Sequence, residues 1–389
     1  MPSTAGINSV SVLAALLLVH TIGPQTIIVL PALTQGYVEY RGATESFAGM
    51  AASVEAWGIC VAALCMMYLI ARVRWRLLMR SALLAMATAN FLSVVDLGYT
   101  ALFAFRFVAG FGGGVIVAVS YAMIGQTERT QRNFGLAIAL VLIYGVFAFP
   151  LLSVLYSVWG LAGGFGFFAL FACCGVPFVG MLPDHGEDES SDNVSVAKER
   201  RIEALLSSSV MLIYFIGVMG AWSYFYRFGV RAGLEEDSIG YALSLSQFAG
   251  MAGAFAVVLL EHRLRPSLGA QVGIVIAALT IASLVMVESF TGFLVLCFVF
   301  QFMWNLTHPL LLSLLALFDS SGRIITYGTG MQFLGIAIGP SLAALLVTDD
   351  SLDAVALVCA ASTALSALIV AGVAAYYGRR HGSTAKRLM

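Results

Sequence analysis

Four ionisable side chains, His20, Glu55, Arg106 and His308, stand well inside long apolar runs of this chain. Such a group is expensive in hydrocarbon, so by default it marks a functional site. Glu55 is the only acid placed deep in a run. It lies about nine residues from the Glu45 end of its run, roughly 13 Å at the helical rise. Arg106 lies about seven residues from the Tyr99 end of another run, roughly 11 Å by the same rise. The depths match, so the two side chains can pair. A carboxyl whose cationic partner comes and goes can carry a proton, whereas a permanent pair only locks two helices together. Asp96 and Arg227 sit near the ends of their runs, within reach of the interface.

Neutral polar and aromatic residues supply a second set. Gln301, Trp304, Asn305 and His308 recur at helical spacing and share one face. Pro309 follows and removes one backbone hydrogen bond. A face of this kind needs a wet cavity or a second helix beside it. The Trp–His combination next to a proline favours the cavity. Tyr214, Trp222 and Tyr226 are offset by multiples of four, with Phe225 adjacent. That stripe serves packing, or, through Trp222 and Tyr226, stacks on a ligand. Tyr241, Ser244 and Gln247 are read as one side of the next run. His20 and Gln25 flank Gly23-Pro24, where a helix distortion is expected, and Gln332 follows Thr329 by one turn. The expected substrate contacts are thus His20, Gln25, Trp222, Tyr226, Gln247, Gln301, Trp304, Asn305, His308 and Gln332. They suit an organic molecule with hydroxyl, amide or ring groups. One deep arginine tolerates a monoanion, and the scarcity of deep acids disfavours a strong cation.

The elements that carry these residues follow from composition. Hydrophobic residues make up 60% of the chain and charged residues 11%, against roughly 25% charged in a soluble domain. Water is therefore the wrong solvent, and lipid the right one. In lipid the backbone must satisfy itself, in helices or in a closed barrel. Long continuous apolar runs, rather than short alternating ones, select helices. Twelve spans are expected, at 9–32, 46–70, 81–98, 99–124, 135–156, 161–182, 204–228, 239–260, 269–287, 291–317, 325–347 and 354–377. With the N-terminus in the cytoplasm, sixteen of the twenty Lys and Arg residues fall in cytoplasmic segments. That asymmetry orients the chain with both termini inside. Residues 183–203 are charged and poor in apolar side chains, and read as a flexible cytoplasmic linker. They separate an N-terminal bundle, 1–182, from a C-terminal bundle, 204–389. All six cysteines lie in apolar runs without metal or disulfide spacing. No cleavable leader is expected, since the first run is too long and lacks a basic start.

A shift of about 190 residues aligns the two halves. Glu45-Ser46 falls on Asp237-Ser238, and Ser-Val-Glu55-Ala-Trp-Gly58 on Leu-Ser-Gln247-Phe-Ala-Gly250. Arg72-Val-Arg74 falls on Arg263-Leu-Arg265, and Gly145 to Pro150 on Gly335 to Pro340. Four matches in one order are hard to obtain by chance. An even number of spans per half makes the repeat parallel, with a natural site between halves near the midplane. Six spans, a linker and six similar spans resemble the major facilitator superfamily, over essentially the whole chain. The best local match is Arg106-Phe-Val-Ala-Gly110-Phe-Gly112-Gly-Gly, similar to the family's arginine-then-glycine motif. In the family that arginine is associated with proton coupling or the substrate cavity. The loop Ala71 to Arg80 stands where the family has a Gly-x-x-x-Asp-Arg signature, and keeps only its basic residues. Phe149-Pro150-Leu-Leu retains only the proline of the antiporter motif.

The resulting expectation is an all-α inner-membrane protein of two pseudo-symmetric six-helix bundles. It is expected to act as a secondary transporter of a small organic solute by rocking of its halves, with H⁺ coupling through Glu55 and Arg106. A hydrophobic-compound efflux pump of the same fold, and a non-transporting membrane sensor, are the alternatives. An enzyme is not expected, for the chain has no His-Glu-x-x-His helix, no paired aspartates within its spans and no Gly-x-Ser-x-Gly turn. Solute, protons and bilayer are the expected partners of a monomer, with no cofactor, metal or nucleic acid.

Overall fold

The computed structural model describes residues 6–70, 72–95, 97–184, 201–260, 265–318, 323–348 and 351–388. Most of the 183–203 linker, together with Asp96 and Asp349-Asp350, lies outside the described residues. No strand occurs among the described residues. Contacts divide the chain into two units, Met1–Ser191 and Asp192–Met389.

In the first unit the initial span is three pieces, α1 (Val10–Ile22), α2 (Gln25–Ile28) and α3 (Leu30–Arg41). Proline explains both breaks. Pro24 and Val29 leave helical geometry, and Pro31 follows in the first turn of α3. The span does not stop at residue 32, as the apolar run suggests, but continues to Arg41. Thr34, Gln35 and Tyr37 are buried there by neighbouring helices, so polar sequence runs on as helix. Gly42, at φ +66°, ends it in the left-handed conformation common after a helix. Next come α4 (Glu45–Leu69), α5 (Trp75–Leu92) and α6 (Tyr99–Gly125). The third span is displaced about six residues toward the chain start from the expected 81–98. Its basic first turn, which hydropathy skips, is held by neighbours. The Trp75 indole donates to the Ile70 carbonyl at 2.8 Å, and Arg76 donates to that of Leu182.

The 46-residue α7 (Thr130–Gly175) is two spans, because Gly160 has φ +58° and ψ −155°. A β-carbon on Gly163 would meet the Leu155 carbonyl oxygen at 2.6 Å. In a straight helix those residues stand roughly 12 Å apart, so the chain folds back at Gly160. The second unit comprises α8 (Arg201–Arg231), α9 (Glu236–Leu260), α10 (Pro266–Ser283), α11 (Phe290–Phe318), α12 (Arg323–Leu346) and α13 (Asp353–Leu388). Among the described residues nine helices are long and apolar enough to cross a membrane. Adding the broken first span, α5 and the second limb of α7 gives twelve crossings, six per unit.

The two units pack by one plan. In the first, α6 lies on α4 and α5; in the second, α11 lies on α9 and α10. Both crossings bring backbones together through glycine. A β-carbon at Gly110 would stand 1.9 Å from the Glu55 carbonyl oxygen, and one at Gly58 would stand 2.3 Å from that of Phe107. In the second unit a β-carbon at Gly253 would stand 2.3 Å from the Phe302 carbonyl oxygen. Small residues permit such approaches, and in lipid close packing itself is the main attraction between helices.

Candidate functional site

The α4–α6 crossing fixes Glu55 and Arg106 against each other. Arg106 Nη1 lies 3.6 Å from Glu55 Oε2, and the two side chains are 0% and 2% exposed. The Thr26 hydroxyl on α2 donates to Glu55 Oε1 at 2.7 Å. Arg106 Nη2 donates to Ser93 Oγ at 2.7 Å, to Asn90 Oδ1 at 3.0 Å and to the Ala89 carbonyl at 3.4 Å, all on or just after α5. Asn90 and Ser93 each donate back to their own helix, to Met86 and Ala89, which leaves acceptors facing the guanidinium. The Arg106 guanidinium carbon also sits 4.5 Å from the centre of the Phe165 ring on α7. The pair is therefore surrounded by α2, α5, α6 and α7 of its own unit.

This arrangement is lopsided. Arg106 has three neutral acceptors and an aromatic face besides its carboxylate. Glu55 has one hydroxyl and one cation. Neutralising Glu55 would leave Arg106 still held, whereas removing Arg106 would leave a buried carboxylate with Thr26 alone. Sequence reasoning missed Thr26, Asn90, Ser93 and Phe165. The available signal was Asn90 and Ser93, polar residues one turn apart near the same end as Arg106.

The other expected contacts in this unit lie apart from the pair or at its edge. His20 is buried on α1, before the Gly23-Pro24 break, with its ring centre 5.1 Å from that of Tyr121. Gln25 is next to Thr26, and its Nε2 donates to the Phe168 carbonyl at 3.4 Å.

In the second unit the polar face of α11 divides among three neighbours. Asn305 Nδ2 donates to the Gln301 carbonyl at 2.9 Å and to its Oε1 at 3.2 Å. Both side chains point at Gly250 on α9, where a β-carbon would stand 2.8 Å from Asn305 Nδ2. Gln247, one turn from Gly250, is fully buried, and its Nε2 donates to the Leu243 carbonyl at 3.2 Å. Neutral amides thus occupy the crossing that the charged pair occupies in the first unit. His308 turns instead to α12, with Nε2 3.0 Å from Gln332 Oε1, and packs its ring edge-on to Phe215. Trp304, half-buried, lies against Trp222 and Phe300, whose ring centres are 5.9 and 5.8 Å away.

Trp222 is 1% exposed and stacks on Phe300 at 5.8 Å. The Tyr226 hydroxyl donates to the Glu236 carbonyl at 2.8 Å, tying α8 to the start of α9. Tyr241 corrects the expected α9 side: it is 58% exposed, while Ser244 and Gln247 are buried. Six residues turn a helix by roughly 240°, so Tyr241 and Gln247 cannot share a face.

Twelve apolar crossings in two units of like packing, one of them holding a buried acid–arginine pair, define a polytopic α-helical membrane protein of the transporter class. Residues 15–340 match the profile of the Major Facilitator Superfamily, and the chain belongs to that family of membrane transporters. A comparison with curated proteins gives no significant match.

Proposed function

We propose that the chain is an H⁺-coupled secondary active transporter of a small organic solute, working by alternating access of its two halves. Glu55 carries the proton, and Arg106 is its counter-charge. The observation that supports this is the lopsided pair: Arg106 has Ser93, Asn90 and Ala89 as acceptors that do not depend on Glu55. A carboxyl can then gain and lose a proton while Nη2 of the buried cation keeps its neutral acceptors. Trp304, His308 and Gln332, all half-buried, are proposed as the main solute contacts. Their chemistry fits an uncharged or monoanionic molecule with a ring and hydrogen-bonding groups. Trp222, Tyr226, Gln247, Gln301 and Asn305 are proposed as further contacts in the second unit, and His20 and Gln25 as contacts in the first. The aromatic group of Trp222, Phe225, Phe300 and Trp304 also favours a second cargo, a lipophilic compound in efflux.

The protein is proposed to sit in the inner (cytoplasmic) membrane as a monomer, and the sixteen Lys and Arg residues assigned to cytoplasmic segments support placing both termini inside. A thermal-shift screen of the purified chain against metabolites and drugs finds the ligand class. Uptake of the hits into proteoliposomes under an imposed pH gradient then tests the function. Hits that bind but never move under any gradient would reject transport in favour of sensing.

A further inference from the structure

Several fully enclosed polar atoms of the first unit have no hydrogen-bond partner among the described residues. Besides His20 Nδ1, Ser120 Oγ and Tyr144 OH elsewhere in the unit, one group comprises Gln25 Oε1, Thr34 Oγ1, Tyr37 OH, Arg106 Nε, and the ion-paired Glu55 Oε2 and Arg106 Nη1. An orphaned polar atom in an interior is costly, and bound water is its usual companion. These atoms are not scattered. Tyr37 and Arg106 both rest on the ring of Phe165, with Tyr37 6.1 Å from its centre and the guanidinium carbon 4.5 Å. Thr34 is one turn inward of Tyr37 on α3. Gln25 adjoins Thr26, which bonds Glu55. The first span breaks at Gly23-Pro24 and at Val29, on either side of the Gln25-Thr26 segment.

We propose that the first unit holds an internal water-binding site, a short chain of waters running from Tyr37 past Thr34 to Glu55 Oε2 and Arg106 Nη1. It would serve as the proton's route to Glu55 inside one bundle. The outer end lies where α3 ends and α4 begins, external in the proposed orientation. There Tyr37 meets Phe47, which packs on Tyr99 and Phe103 at 4.3 and 5.1 Å. These rings cover the mouth, so a proton enters only when they part. From Phe47 to Glu55 is eight residues, roughly 12 Å, a gap that about four waters at hydrogen-bond spacing would bridge. An external proton joins the first water at Tyr37, and each water passes one proton inward. The last gives its proton to Glu55 Oε2, converting carboxylate to carboxyl, and no net atom other than H⁺ moves. The groups facing Glu55 are Thr26 on α2, Arg106 on α6 and, within electrostatic range, Tyr37 on α3 and Tyr144 on α7.

The inference rests on Glu55 being the proton carrier, and the test separates the two ideas. The full chain in nanodiscs is subjected to an acid jump while the infrared carboxyl band lost in Glu55→Gln is followed. Tyr37→Phe and Thr34→Val each remove one hydroxyl and little shape. Each is expected to slow the rise of that band about three- to tenfold, with its final amplitude and the melting temperature unchanged. Tyr121→Phe, beside His20, should leave the rate alone. Wild-type rates in both hydroxyl variants would overturn the water route while leaving Glu55 as carrier. A wild-type protein without any Glu55 band would remove the route and the carrier together.

Discussion

Replacing Arg106 by alanine should be far more damaging than neutralising Glu55, although both changes break the same ion pair. At 3.6 Å two unit charges attract by about 5 kcal/mol at an effective dielectric of 20, but desolvation has already opposed most of that. What counts is what each change leaves behind. Arg106→Ala leaves the Glu55 carboxylate enclosed with Thr26 as its one donor, a loss of about 3–5 kcal/mol for a stranded buried charge. It also removes the bonds to Asn90 and Ser93, at about 1 kcal/mol each. Glu55→Gln keeps the side-chain shape and an acceptor for Thr26, and leaves Arg106 its three acceptors. It unpairs the guanidinium's charge but keeps its Nη2 bonds, and should cost less, about 2–3 kcal/mol. The double variant, Glu55→Gln with Arg106→Ala, strands no charge and should recover part of the loss. Unfolding of the four purified proteins in the same detergent measures the cycle. If Arg106→Ala is no less stable than Glu55→Gln, or if the double variant is as unstable as Arg106→Ala, the lopsided reading of the pair is wrong.

Other expectations follow from the same geometry. Trp304→Ala should weaken ligand affinity by about tenfold, as expected for loss of an aromatic contact of order 1 kcal/mol or somewhat more, with melting little changed. A fall in melting temperature at constant affinity would assign the residue to helix packing instead. Gly110→Ala places a methyl within 1.9 Å of the Glu55 carbonyl oxygen and should push α4 from α6, which is read as lost folded yield on size-exclusion chromatography; wild-type yield would contradict the close crossing. A cysteine at Glu235 should react with an impermeant reagent in intact cells and one at Glu128 should not, since both positions are exposed and three crossings separate them along the chain; reaction at Glu128 would reverse the orientation.

The helical membrane class was legible because long apolar runs report directly on lipid. The meeting of Glu55 and Arg106 was legible as well, since depth along two neighbouring spans is simply residue count times rise. The limits of the first and third spans were not. Hydropathy treats Thr34, Gln35 and Arg76 as exits from the membrane, whereas the bundle buries the first two and a carbonyl holds the third. The arginine's cradle of Asn90, Ser93 and Phe165 was hidden for another reason: which neutral side chain meets a charge depends on helix rotation, which sequence spacing does not set. The α11 face shows the same limit. Its residues do recur on one stripe, but a helix touches several neighbours, so Gln301 and Asn305 meet α9 while His308 meets α12.

The central claim is that Glu55 couples proton movement to solute movement. Its most direct test is solute-dependent acidification inside proteoliposomes, read with a trapped pH-sensitive dye, for wild type and Glu55→Gln side by side. Wild type should move protons when solute is added and accumulate solute under an imposed pH gradient. Glu55→Gln should bind and exchange solute but show neither proton flux nor accumulation. Gradient-driven accumulation by Glu55→Gln at the wild-type level would contradict the account.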